Sequence, residues 1–195
     1  MTSEFEIDEF AQQIADQIES FLVAVQAIAR ENDGSRAISL LLLEISQVLL
    51  AGARLGVQAD FVTHEEFQPD AGPDPDLDEL RLRFAQMLDG VDVYSEVFDT
   101  YGEVEVVSSV ISDDVTSIAT ALAHGLRHFR AGRVDEALWW WQFSYVASWG
   151  TEASGVLRAL QSILTHDRLD TVFEVEAEQV AAADEMLEES GTQAR

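Results

Sequence analysis

A chain of 195 residues can bury roughly 70 % of its unfolded surface in one core, so it reads as a single domain. With no cysteine, disulfides play no part in closing it. A net charge of −26 argues against a basic phosphate-binding face, and so against direct nucleic-acid binding, and favours high solubility or a basic protein partner.

Ser3 and Glu6 have the spacing of a capping box. Phe10, Ile14, Ile18, Phe21, Leu22, Val25 and Ile28 then recur at helical spacing, predicting an amphipathic helix to about Arg30 that ends at Asn32-Asp-Gly34. Arg36 to Leu55 predicts a second helix, apolar on almost every side and therefore central, with Gly56 as its stop. The apolar stretch from Ala37 to Ala53 is interrupted by Ser39, Glu44, Ser46 and Gln47, so no membrane span is expected from it. The N-terminus lacks a basic stretch followed by an apolar run, and the expected compartment is the cytoplasm.

Pro69, Pro73 and Pro75 fall in an acidic connection of about twenty residues, longer than most. Asp76 is placed to cap a third helix to about Leu88, with Leu77, Leu80, Phe84 and Met87 inward. Val104 to Val110 has strand-like composition but no evident partner strand, and is read as extended loop. Ser112 would cap a fourth helix to Ala131, with Asp113 and Asp114 in its first turn, where the helix dipole favours acids, and Val115, Ile118, Leu122, Leu126 and Phe129 inward.

After Gly132 comes a helix carrying all four tryptophans. Val134, Leu138, Trp141, Tyr145 and Trp149 form one apolar stripe, and Trp139, Phe143 and Val146 a second, so the helix is expected to pack on two sides. Trp140 belongs to neither stripe and is the expected exposed aromatic. Whether this helix continues through Gly150 into the stripe of Val156, Leu157, Leu160, Ile163 and Leu164, or restarts at Thr151, is left open by the sequence. From Val106 to His166 five acids face four arginines, an electrically quiet island beside acidic flanks. The expected fold is thus all-α, a bundle of six or seven helices over 1–168 with one long proline-containing acidic loop, followed by an acidic, weakly docked tail over 169–195.

Three groupings could carry chemistry. His124 and His128 have metal-ligand spacing, yet Arg127 and Arg130 beside them repel a cation, so no metal or cofactor is expected; with Arg133 the same residues could hold an anion. Glu44, inside Leu41-Leu-Leu-Glu-Ile-Ser-Gln-Val, needs a partner if buried, and an ion pair with one arginine is favoured over a catalytic acid. Glu96 and Asp99, with Asp113 and Asp114, could supply a carboxylate cluster for a divalent metal, against the preferred reading that they cap helices.

Gly125 to Ala137 resembles the turn of a tetratricopeptide repeat, but nothing similar recurs 34 residues away, so it implies one helical hairpin and no solenoid. Leu41-Leu-Leu-Glu-Ile-Ser-Gln, Val93-Tyr-Ser-Glu-Val-Phe-Asp, Ile111-Ser-Asp-Asp and above all Ala137-Leu-Trp-Trp-Trp-Gln-Phe-Ser-Tyr with Trp149-Gly resemble the bacterial family DUF5063, common in actinobacteria. The resemblance runs from about Phe10 to Leu164, with Thr100 where the family pattern has proline. It implies no catalytic residues, since the family has no established activity. Gene placement beside a recombination-repair mediator implies a role near DNA maintenance, and a GC-rich actinobacterial genome agrees with eleven arginines and no lysine.

The expected function is a non-enzymatic interaction module whose surface comprises Trp139, Trp140, Phe143, Arg127 and Arg130. The alternatives are a metal-dependent enzyme built on Glu44, Glu96, Asp99, Asp113 and Asp114, and an acidic DNA mimic acting on a DNA-maintenance protein. A homodimer through the aromatic helix is a further arrangement.

Overall fold

The computed structural model describes residues 4–31, 33–63, 71–97 and 101–169. The chain forms two compact units, Met1–Leu160 and Gln161–Arg195. The second is helical over 161–169, with Ile163 and Leu164 half-buried. Ser3, Asn32, Pro69 and Asp99, and all of the expected tail beyond 169, lie outside the described residues.

In the first unit, α1 (Glu4–Ile28) buries Ala11, Ile14, Ile18, Phe21, Val25 and Ile28, the three-and-four spacing of one helix face. It packs on α2 (Gly34–Gly56), whose first turn is capped by Asp33, its Oδ1 accepting from the Arg36 N–H at 3.2 Å. The buried face of α2 is Ala37, Leu41, Ile45, Val48, Ala51 and Leu55. Its opposite face, including Leu43 and Leu50, is exposed, so α2 is not the central all-round buried helix its composition predicts. Its length and hydropathy would also suffice to cross a membrane, which the polar interruptions of Ala37 to Ala53 do not prevent; a core helix of a soluble protein passes the same test.

α3 (Asp78–Met87) buries Leu80 and Phe84 and packs on α4. Asp76 does not stand at the cap itself, which is Leu77; its Oδ1 accepts from the Asp78 N–H at 3.2 Å. The clearest departure from an all-α fold follows. Val93–Val97 (β1) and Val106–Val110 (β2) pair antiparallel, Val93 opposite Val110 and Val97 opposite Val106. The partner strand that the sequence does not reveal is Val93-Tyr-Ser-Glu-Val, so the fold is mainly helical with a two-stranded sheet.

β2 runs directly into α4 (Ile111–Arg130). Ser112 is not its cap but lies within it, buried. Asp92 reaches across the base of the hairpin, accepting from the Ser112 N–H at 2.8 Å and from the Ser112 hydroxyl at 2.7 Å. α4 and α5 (Val134–Ser144) form the expected helical hairpin, joined through Gly132, whose φ of +75° suits glycine.

The helix does not stop at Gly150. A π-helical turn, Tyr145–Trp149, carries it through Gly150 into α6, the helical residues 150–160 of this unit. The wider turn keeps Tyr145 and Trp149 side by side, with ring centroids 4.8 Å apart. Both rings lie against Gly52 of α2, where a Cβ would come within 2.6 Å of Trp149 and closer still to Tyr145.

Gln142, which belongs to neither apolar stripe of α5, is buried and holds the chain leaving α2. Its Nε2 donates to the Leu55 carbonyl at 3.0 Å, and its Oε1 accepts from the Phe61 N–H at 3.0 Å. Replacing Gln142→Met keeps the bulk and removes both bonds. The expected loss is about 1 kcal/mol of stability, with faster amide exchange at Phe61 under native conditions; unchanged exchange there would contradict this role.

Candidate functional site

Trp140 and Trp141 dock α5 on α4 through consecutive carbonyls. The Trp140 indole N–H donates to the Ala121 carbonyl at 2.9 Å, and that of Trp141 to the Leu122 carbonyl at 3.0 Å. Trp140 is consequently half-buried, its ring 4.2 Å from that of His124, and is not the exposed aromatic its helical position predicts. A polar handle on a large ring finds a partner on the adjoining helix.

The exposed aromatic of α5 is Phe143, 52 % accessible. Its ring lies parallel to Trp139, with centroids 5.0 Å and planes 5° apart. Val146, one turn on, is 72 % accessible. The second apolar stripe therefore faces solvent among the described residues, rather than packing against a second layer.

The arginines expected on this surface are engaged within the chain. Arg127 donates to the Pro73 carbonyl and, at 3.2 Å, to Asp74, pinning the proline-containing loop to α4. Arg130 pairs with Glu19 of α1. The Arg133 Nε donates to Nδ1 of His128 at 3.2 Å, so the proton of that ring is assigned to Nε2, which is buried without a partner among the described residues. Burial, reinforced by His124 and Arg133, holds the His128 pKa below the usual imidazole value and keeps the ring neutral. His124 turns its Nδ1 towards Asp74, 3.3 Å away. With one ring directed to a loop and the other to Arg133, the pair does not converge on a cation. Among the described residues no group of three or more His, Cys, Asp and Glu is disposed to hold a metal ion.

The predicted carboxylates are only partly brought together. Asp113 is exposed and pairs with Arg81 at 3.4 Å. Glu44, half-buried on α2, has its pKa raised by burial and has no ion-pair partner among the described residues, contrary to the expected arginine. Glu96 and Asp114, however, meet beneath the hairpin. The Tyr94 hydroxyl donates to Asp114 Oδ2 at 3.0 Å, and the Ser109 hydroxyl to Glu96 Oε1 at 2.8 Å.

α6 closes this cluster from the other side. Gly155 lies so near the hairpin that a Cβ there would stand 2.5 Å from both Glu96 Oε2 and the Tyr94 hydroxyl. Glu152 contributes a buried Oε2 without a hydrogen-bond partner among the described residues. Burial pushes the Asp114 pKa up to about 6; the Tyr94 bond opposes this, while the charges of Glu152, Glu96 and Asp113 add to it. Tyr94 is raised as well, by burial and by Asp114. Neither Glu152 nor Ser109 is singled out by the sequence. The only signal for Ser109 is the register of a strand pair not recognised as one, and Glu152 lies on α6, outside that pair.

Comparison with known proteins gives a family and a fold. Residues 5–166 match the family model described as "Domain of unknown function (DUF5063)". The crystal structure of protein BF1032 from Bacteroides fragilis, a structural-genomics target, is similar to this chain with a TM-score of 0.60 at 18 % identity, over 80 % of this chain and 89 % of that one. At that identity the likeness concerns the fold alone. No curated protein matches the chain.

Proposed function

The chain belongs to the DUF5063 family, and we propose that it acts as a non-enzymatic interaction module that takes a protein partner on the outer face of α5. The observation that carries this reading is the Trp139 and Phe143 pair, parallel and continuous with exposed Val146. Large aromatic side chains dominate interface energetics. These two stand on a helix already fixed by Trp140, Trp141 and Gln142, so little side-chain or backbone freedom is lost on binding. The net charge of −26 makes the partner a basic protein and speeds its encounter.

Phe143→Ala is expected to release a partner that tagged wild-type protein retains from its host, with no change in thermal midpoint. Trp140→Ala is expected to lower the midpoint, because it breaks the joint between α4 and α5. Retention of the same proteins by wild type and by Phe143→Ala would sink the surface assignment. A concentration-dependent dimer abolished by Phe143→Ala would make the partner a second copy of the chain.

One observation favours a catalytic reading: Glu96, Asp114 and Glu152 do approach one another beside Tyr94, and a carboxyl titrating near 6 suits proton transfer. Asp113 and Glu44 stay outside that group, which weakens the metal-dependent form of the reading. The DNA-mimic alternative is supported by net charge alone. It requires that the retained partner be a nucleic-acid-binding protein displaced from its DNA.

A further inference from the structure

The hairpin is built inside out. Its inward residues are Tyr94, Glu96, Val107 and Ser109, whereas Val93, Ser95, Val97, Val106 and Ser108 are exposed. Val93 and Val106 are 67 % and 65 % accessible. A slip of one residue would turn the valines inward, but it would break the Tyr94 to Asp114 and Ser109 to Glu96 bonds, so those bonds hold the apolar face outward.

Among the described residues the backbone is equally available. The Ile111 N–H donates to the Asp92 carbonyl at 2.9 Å, making 92 and 111 a hydrogen-bonded pair. Antiparallel pairs alternate between hydrogen-bonded and open. Tyr94 with Ser109 and Glu96 with Val107 therefore bond across the ribbon, while residues 93, 95 and 97 of β1 and 106 and 108 of β2 direct their N–H and C=O groups to the two edges. Exposed edges are normally blunted by lysine, proline, a bulge or an inward-pointing charge. These strands contain no lysine or proline and their register is regular, which leaves the inward Glu96 as the device present.

Charge identifies what fits. Between Arg83 and Arg127 the sequence has no basic side chain apart from His124, but carries Asp89, Asp92, Glu96, Asp99, Glu103, Glu105, Asp113 and Asp114. A second copy would bring the same acids to the same edge. We propose that the hairpin is a strand-addition site for an extended segment of a partner protein in which basic residues alternate with β-branched ones. The backbone supplies the ladder, the valine face takes the apolar residues, and Glu103 and Glu105, exposed just before β2, take the charge. This site lies on elements other than the aromatic face of α5 and stands or falls separately from it.

The test uses the full chain and a fluorescent synthetic octapeptide of alternating arginine and valine, with an alternating glutamate and valine octapeptide as its counterpart. Ser95→Pro and Ser108→Pro each remove one edge N–H and leave every inter-strand bond in place. Val97→Ser combined with Val106→Ser removes two of the three exposed valines of the ribbon without touching the backbone. The arginine peptide is expected to bind, and to weaken at least about tenfold with one of the proline variants and with the double serine variant, each still melting as wild type does. Equal binding by all three variants would show simple charge attraction and overturn the proposal, as would equal binding of the glutamate peptide. Sedimentation that finds a dimer abolished by Ser95→Pro or Ser108→Pro would give the edge to a second copy and likewise overturn it.

Discussion

Gly125→Ala is expected to lower the stability of the protein by about 3 kcal/mol, with a fall in melting temperature of roughly 6–12 °C for a chain of this size. Alanine in place of a helix-interior glycine ordinarily stabilises by roughly 0.5–1 kcal/mol, so the sign alone is diagnostic. Gly125 is the floor on which Trp141 lies. A Cβ there would stand 2.7 Å from Cε2 of the indole and closer still to Nε1. The ring has no room to retreat, because Trp141 is fully buried and its N–H is tied to the Leu122 carbonyl. Gly34→Ala is the matched control, since a Cβ at that position meets nothing nearer than the Met87 carbonyl at 4.0 Å. It should be neutral or stabilising. Thermal melts followed by near-ultraviolet circular dichroism would report both stability and the packing of the tryptophan. A Gly125→Ala protein as stable as wild type would mean that α4 and α5 do not meet as described.

Much of the helical framework was legible because periodicity reports which residues share a face. Ile14, Ile18, Phe21 and Val25, or Val115, Ile118, Leu122 and Leu126, recur at helical spacing and are buried together. Periodicity does not report whether a face has a neighbour. The exposed leucines of α2 and the stripe of Trp139, Phe143 and Val146 are as apolar as the buried faces, and nothing in their spacing marks them as uncovered. The strands were missed for a related reason. A half-buried strand is recognised by apolar residues turned inward, and β1 turns Tyr94 and Glu96 inward instead.

Trp140, expected from the sequence to be the exposed aromatic, is half-buried. Helical position sets Trp140 apart from both stripes, yet position ignores what an indole N–H can reach, and the Ala121 carbonyl one helix away is within reach. Arg127 and Arg130 were legible as cations but not as staples, since Pro73 and Asp74 lie over fifty residues earlier and Glu19 over a hundred. Asp92 capping α4 is the converse case, a long-range bond to Ser112 where Ser112 itself has cap composition. In each instance the short-range signal was sound for residue type and silent about the distant partner.

Asp114→Asn is expected to stabilise the protein at pH 8 by about 2 kcal/mol and to flatten the dependence of stability on pH between about 4 and 7. The carboxyl is raised from its ordinary value of 3.8 to about 6 in the folded chain. The folded state therefore binds this proton more tightly than the unfolded state does. Stability from this group is complete below pH 3.8, declines as pH rises, and is lost above about 6. At roughly 1.4 kcal/mol per pH unit the full displacement is worth about 3 kcal/mol, reduced to about 2 by the partial exposure of the carboxylate. Asparagine retains an oxygen to accept from Tyr94 while removing the charge that faces Glu96 and Glu152. Urea titrations of both proteins at pH 5 and pH 8 measure the effect. A gap between the two that is smaller at pH 5 than at pH 8, with Asp114→Asn the more stable at pH 8, is the expected pattern. A loss of stability at pH 8 would show instead that the ionised carboxylate holds the hairpin to α4 through a charge-assisted bond stronger than its desolvation. In that case the hairpin would be anchored most firmly at neutral and alkaline pH, the reverse of what burial among three other acids dictates.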